Sequence, residues 1–305
     1  MRKRPHEQQV QVRKIQMFAV TAATGRVGGN AAKTLLGAGK SLRVVARDVG
    51  KAQAFADHGC EIALATMEDH EALTDAFSGC EGVFLVVPPS LDQPEDLPKA
   101  RAIVAAYKKA ILAARPGKIV ALSSVGAQAV ERNTISELTI LEEELADVDL
   151  PITFLRPAWY IENAEWDVGS AKNDGVIHSF LQPVDRALPM VSVADAGRTA
   201  GELLMEDWTG HHIVELHGPD LVSPQDIANA FGKALGRDVG VQAIPHEAWD
   251  GIFRGQGIKD PEMWMKCLDG FNEGWLSFED KGTIKRVGRI GVEEAVAALV
   301  GAHRG

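Results

Sequence analysis

Phe18-Ala19-Val20-Thr21-Ala22-Ala23-Thr24-Gly25-Arg26-Val27-Gly28-Gly29 is an apolar run that empties into a glycine turn and then a helical pattern. Behind it, Leu42-Arg43-Val44-Val45-Ala46-Arg47-Asp48 reads as a second strand. A strand, tight turn and helix in that order bring unpaired backbone N–H groups and the positive end of a helix to one point, where a pyrophosphate is held. The stretch therefore predicts a dinucleotide site built on Thr24, Gly25, Arg26, Val27 and Gly28. Ala22 stands where the usual motif has its first glycine, and a methyl there calls for a negative φ. Arg47 ends the second strand, where a chain that takes NAD(H) usually carries an acid for the ribose 2′-hydroxyl. An arginine there, with Lys51 nearby, pairs instead with a 2′-phosphate, so NADP(H) is favoured over NAD(H).

Further along, short apolar runs alternate with helical patterns. Strands are expected at 17–21, 42–46, 61–65, 82–87, 118–122 and 151–155, and helices at 28–36, 51–58, 71–77 with Asp69 as N-cap, 100–114 and 135–146. This alternation is the mark of an α/β chain with a Rossmann-type doubly wound parallel sheet. Ligands bind beyond the carboxyl ends of such strands, which gathers Thr24, Arg26, Arg47, Pro88, Ser124 and Pro157 along one edge. After Pro157 the pattern breaks up around Gly175, Pro183, Pro189, Gly210 and Pro219. A smaller C-terminal α/β substrate lobe is expected there, with helices at 193–205 and 224–235 and strands at 212–216 and 239–243. The division is residues 1–14 as a basic arm, 15–157 as the cofactor domain and 158–305 as the lobe, some of whose strands return to the main sheet. All six tryptophans fall after residue 157.

Composition narrows the function. With 305 residues and 46% hydrophobic content the chain can build one large core and an attached lobe. A net charge of −10 argues against a surface that tracks nucleic acid, although Arg2, Lys3, Arg4, Arg13 and Lys14 open the chain. No run is apolar enough for a membrane span, so a cytoplasmic protein without a membrane partner is expected. Cys60, Cys80 and Cys267 are few and far apart. They read as packed thiols and form no metal pair. His211, His212 and His217 do not converge on a metal at their spacing, and His178 and His246 have no acidic partner that the sequence can place. The run Glu142-Glu143-Glu144 reads as a solvated helix face. No feature asks for a metal or a flavin.

The residues Thr21 to Gly28, Val45-Ala46-Arg47-Asp48, Leu122-Ser123-Ser124-Val125-Gly126-Ala127 and Leu155-Arg156-Pro157-Ala158-Trp159-Tyr160-Ile161-Glu162-Asn163 resemble the NmrA-like branch of the atypical short-chain dehydrogenase/reductases. Met190 to Gly197 and Gly218-Pro219-Asp220 extend the resemblance. It implies a quinone-reductase-like chain that binds NADP(H), with Thr24 to Val27 at the pyrophosphate and Arg47 at the adenosine phosphate. Val87 and Pro88 would lie along the cofactor, and Ser123, Ser124 and the segment 157–160 near the nicotinamide. The Tyr-x-x-x-Lys pair of the wider superfamily is missing: no Tyr, Lys or His lies between Ser124 and Leu150. The lysine often found on this helix in NmrA-like reductases falls near Leu138.

Two functions follow from that gap. One is a reductase that passes hydride to a small conjugated acceptor, such as a quinone, an azo compound or an enone, whose delocalised anion needs little help from an acid. Ser124 and Tyr160 are its candidate catalytic residues, and Pro89, Trp159, Tyr160 and Trp249 its candidate pocket. The other is a non-catalytic NADP(H) sensor that acts through a protein partner. Oligomeric state, a homodimer included, stays open.

Overall fold

The structure is a computed structural model that describes residues 16–90, 94 and 96–303. The expected basic arm, residues 1–14, lies outside the described residues. Along the chain the first half runs β1 (Met17–Thr21), α1 (Arg26–Gly37), β2 (Ser41–Ala46), α2 (Val49–Asp57), β3 (Glu61–Leu64), α3 (His70–Phe77), β4 (Gly82–Leu85), α4 (Pro98–Ala114), β5 (Ile119–Leu122), α5 (Ser136–Leu145) and β6 (Ile152–Pro157). The second half runs β7 (Trp159–Tyr160), a 3-10 turn (Ile161–Asp167), α6 (Val168–Asn173), β8 (Val176–Ser179), β9 (Leu188–Val191), α7 (Val193–Met205), β10 (His211–His217), β11 (Leu221–Val222), α8 (Pro224–Leu235), β12 (Gly240–Ala243), α9 (Trp249–Gly255), α10 (Glu262–Glu273), β13 (Ile284–Val287) and α11 (Val292–Ala302).

Eight strands form one sheet in the order β13-β10-β6-β5-β4-β1-β2-β3, with parallel pairing throughout. β4 is buried along its whole length, as is β6, and helices cover both faces. Strands shielded on both sides read as unbroken apolar runs, which is why the sequence exposes them. One face is covered by α3, α4 and α5 over a core that includes Phe77, Leu85, Ile103, Tyr107 and Ile119. The other carries α1, α2 and α7, with Phe18, Val44, Phe84, Leu155 and Leu204 beneath them. Between β1 and β4 the chain reverses direction across the sheet, and that switch point opens a crevice beyond the strand ends.

Local chemistry explains where the helices begin. Asp48 accepts from Gly50 N at 2.8 Å and Asp69 from Ala72 N at 3.1 Å. Ser223 and Asp226 close a capping box on α8, whose first residue is Pro224. α7 packs against α1 because Gly197 and Gly201 carry no side chain there. A Cβ on Gly197 would lie 2.5 Å from the Val27 carbonyl oxygen, and one on Gly201 would lie 2.8 Å from Thr34 Cβ. The family-like stretch ending at Gly197 thus fixes the seat of the glycine turn.

The remaining chain forms two small sheets, β11-β9-β7 and β12-β8. Its own aromatic core joins Trp249, Phe253, Phe180 and Trp264. The tryptophans do not all serve that lobe. Trp208 packs on the α1/α7 face, where Lys118 Nζ sits 5.0 Å from its ring centre. Among the described residues no helix is long and apolar enough to cross a membrane.

All three cysteines are unpaired and buried. Burial pushes the Cys60 thiol up, and it pushes Cys80 and Cys267 up to about 11. Below those values each thiol stays protonated and poorly nucleophilic. Native protein at pH 8 is therefore expected to react with iodoacetamide far more slowly than protein in guanidinium, as counted by mass spectrometry. Alkylation at equal rates in both would contradict this burial.

Candidate functional site

The glycine turn is more strained than a negative φ at Ala22 would make it. Ala22 adopts φ +50°, correcting the expectation drawn from its methyl group. The turn closes through a hydrogen bond from Gly25 N to Ala22 O of 2.9 Å, with Ala22 left-handed at its first position. Such a conformation costs a non-glycine residue about 1 kcal/mol. Gly28 is the residue that must be glycine, since a Cβ there would lie 2.3 Å from the Ala22 carbonyl oxygen. Thr24, Gly25 and Arg26 are exposed, and Gly25 caps α1 without any side-chain hydrogen bond. The first-turn N–H groups of α1 are left open to an anion, unlike those of α2, α3, α7 and α8, which side chains cap.

Arg26 has a partner already. Its guanidinium forms an ion pair with Glu165 of the 3-10 turn, beside a surface depression of ≈ 380 Å³ lined also by Glu162, Asn163 and Trp166. Arg47 follows β2, is exposed, and has no carboxylate partner among the described residues. Its neighbour Asp48 accepts from Gly50 N and so caps α2. Lys51 is exposed one turn into α2. The end of β2 and the first turn of α2 thus present positive charge.

At the switch point the ends of β1 and β4 are locked together. Thr21 Oγ1 donates to Phe84 O at 3.0 Å and accepts from Val86 N at 2.9 Å, while the Tyr107 hydroxyl donates to Val86 O at 2.7 Å. Val87 is buried and Pro88 half-buried just beyond, with Pro89 exposed. Beyond β5 and β6, Ser123 N donates to Leu155 O at 2.7 Å and Val125 N to Pro157 O at 3.0 Å, so the loop holding Ser124 continues the strand pairing. Ser124 is half-buried and its hydroxyl has no hydrogen bond among the described residues. The structure therefore brings Thr24 to Gly28, Arg47, Val87, Pro88, Ser123, Ser124 and Pro157 to one edge.

The other candidates lie differently. Tyr160 packs on the α1/α7 core, and its hydroxyl is shielded from solvent with no hydrogen-bond partner. Burial, and behind it the charge of Glu162, pushes this phenol's pKa up and makes it a poorer acid. Trp159 follows β6 and meets Phe271 edge-on at 4.9 Å. Trp249 is fully buried, with its indole N–H donating to Ile244 O at 2.9 Å, so it packs the lobe's interior. His246, for which the sequence offered no acid, has Asp269 at 3.2 Å; His178 donates its backbone N–H to Asp167 at 2.8 Å. Among the described residues no three His, Cys, Asp or Glu side chains gather to hold a metal.

One cluster overturns an expectation. Glu142 does not face solvent: it accepts from the Ser123 hydroxyl at 2.5 Å and from Arg156 at 2.9 and 2.5 Å. Arg156 lies on a strand buried on both faces and is itself only 3% exposed. A guanidinium there demands carboxylates, because a lone buried charge costs several kcal/mol. Glu142 from α5 is one partner, and Glu279 at 2.8 Å is another. Glu143 and Glu144 are exposed as expected. The signal was available in the sequence: an arginine inside an apolar strand calls for an acid, though not for a particular one.

An open glycine turn on a helix end, a cationic second strand and a parallel sheet with its switch point between them define a Rossmann-type dinucleotide-binding protein with an attached C-terminal lobe. The profile of the NmrA-like family matches residues 14–269, and the chain belongs to that family. It is similar to quinone oxidoreductase 2 of Escherichia coli K12, 26% identical over 276 residues that cover 89% of this chain and 93% of that one. It is similar also to the NAD(P)H azoreductase of Xenophilus azovorans, at 23% identity over 84% of this chain and 85% of that one. The crystal structure of the NADPH-dependent quinone oxidoreductase of E. coli complexed with NADPH matches the fold with a TM-score of 0.75 at 25% identity, covering 93% of this chain and 99% of that one.

Proposed function

We propose that the protein is an NADPH-dependent oxidoreductase that reduces a small conjugated acceptor of the quinone or azo type. Residues 15–157 carry the cofactor, and the chain from 158 onward supplies the acceptor side. The observation that carries this reading is the pairing of an open cradle with a missing acid. Arg26 to Gly28, at the uncapped head of α1, offer their N–H groups to a pyrophosphate, and Arg47, unpaired among the described residues, offers its guanidinium to a 2′-phosphate. Yet the corner where α5 meets the end of β5 holds a spent Glu142–Arg156 pair in place of a tyrosine and lysine. Bound NADPH supplies a hydride. Val87 and Pro88 flank its path along the strand ends, and the Ser124 hydroxyl is free to donate a hydrogen bond to the acceptor oxygen or nitrogen. An acceptor that takes hydride into a delocalised anion can collect its proton from water afterwards, so positioning carries most of the catalysis.

The three protonated thiols fit a reducing, cytoplasmic setting. The test is NADPH oxidation under anaerobic conditions against quinones, azo dyes and enones. Turnover that depends on a quinone or azo acceptor is expected. Tight NADPH binding with no turnover on any of them, together with a protein partner whose capture depends on the nucleotide, would establish a sensor instead.

A further inference from the structure

Residues 276–283 run between α10 and β13 as a strap tied down at nearly every step. Glu215, fully buried on β10, accepts from Glu279 N at 2.7 Å, from Asp280 N at 3.4 Å and from the Thr283 hydroxyl at 2.9 Å. Arg156, its neighbour across the β6/β10 pairing, donates to Glu279 Oε2 at 2.8 Å and to Gln128 Oε1 at 3.1 Å. Gln128 in turn donates to Ser277 O at 2.7 Å. Asp280 makes the bend at φ +63°. Leu276 lies so close to the loop after β5 that a Cβ on Gly126 would sit 2.5 Å from its Cδ2. The strap is thus clamped against the loop that holds Ser124.

Its central side chain is Phe278. This ring is half-buried and packs against the core under α1 and α7, which includes Leu155 and Ala158, and also against the lobe core, which includes Val125 and Ala127. It therefore joins the two cores beside the loop that holds Ser124, where the reductase reading seats the acceptor. The buried guanidinium is held by Glu142 from α5 and by the half-exposed Glu279 of the strap, so it ties the strap to the end of β6.

Resting on the reductase reading, we infer that the strap is the acceptor-side wall of the site, with Phe278 as the residue that selects acceptors by size and Arg156 as a positioning residue acting through Glu279. A flat quinone would lie against the Phe278 ring. The test measures binding of menadione and of the wider anthraquinone-2-sulfonate by calorimetry to NADP⁺-saturated protein, alongside NADPH-driven turnover of both. In Phe278→Ala, menadione should bind about fivefold more weakly, the loss of one ring contact, while anthraquinone-2-sulfonate is held as well or better. Cofactor affinity should stay within about twofold, because that site is separate. Glu279→Ala, which lets go of Arg156, should reproduce the menadione loss and raise KM more than it lowers kcat, whereas Glu279→Gln, which keeps an acceptor for Arg156, should restore it.

An unchanged ratio of the two affinities in Phe278→Ala, or a cofactor affinity that falls in step, overturns the inference, as does wild-type menadione binding in Glu279→Ala. Wild-type protein that binds the quinones selectively but never turns them over sinks the reductase reading and leaves the strap. Turnover with size selection indifferent to Phe278 does the reverse, and wild-type protein that binds neither quinone removes both.

Discussion

Gly28→Ala is expected to lose NADPH affinity by more than about a hundredfold and to unfold with about 3 kcal/mol less stability than the parent. The added Cβ would lie 2.3 Å from the Ala22 carbonyl oxygen, 2.8 Å from its carbonyl carbon and 3.0 Å from the Thr21 oxygen. All three are backbone atoms, so no side chain can swing aside. The turn has little slack, because Ala22 is already left-handed and Gly25 N is bonded back to it. Relief must come from lifting α1 off β1, which also disturbs the contact of Gly197 with Val27. Gly37→Ala is the control on the same helix: nothing lies within 4 Å of its Cβ position, and it should be neutral or stabilising by up to about 1 kcal/mol. Urea unfolding and calorimetry on both variants decide the matter. Equal behaviour of the two would mean that the turn is not built as described.

Arg47→Glu should weaken NADPH binding by about a hundredfold while moving NADH by less than about threefold. The guanidinium is exposed and has no partner among the described residues, so its removal breaks no contact there and the effect is expected at the ligand. A charge-assisted hydrogen bond to phosphate contributes about 1.5–3 kcal/mol, and the new carboxylate adds repulsion of the 2′-phosphate. With Asp48 engaged in capping α2, no nearby acid takes over the ribose hydroxyl, which is why NADH gains little. Loss of both cofactors alike would place Arg47 outside the 2′-phosphate site.

The first half of the chain was legible because its strands are short apolar runs shielded on both faces and punctuated by glycine and proline. Met17–Thr21 and Val193–Met205 fall where the pattern puts them. The second half shows β10 and β12 in its pattern but hides its other strands for physical reasons. β7 and β11 are two residues long, too short to show alternation, and β13 is an edge strand with Ile284 and Val287 exposed. Its Ile284-Lys285-Arg286-Val287 carries no inward face to read. The cofactor edge could be placed from the turn alone, since every parallel strand ends on the same side. The proposed acceptor side could not, because Glu142, Glu215 and the Phe278–Glu279 strap come from three separate elements that only the tertiary fold joins. An acid triplet on a helix looks solvated until the buried Arg156 across from it is known.

We propose that the head of α1 and the guanidinium of Arg47 together hold a 2′-phosphorylated dinucleotide. Calorimetric titration of the unaltered protein with NADPH and with NADH tests it most directly. The predicted result is saturable NADPH binding at about micromolar Kd, with NADH at least about tenfold weaker. Absence of binding by either cofactor at millimolar concentration, or a preference for NADH, would contradict it.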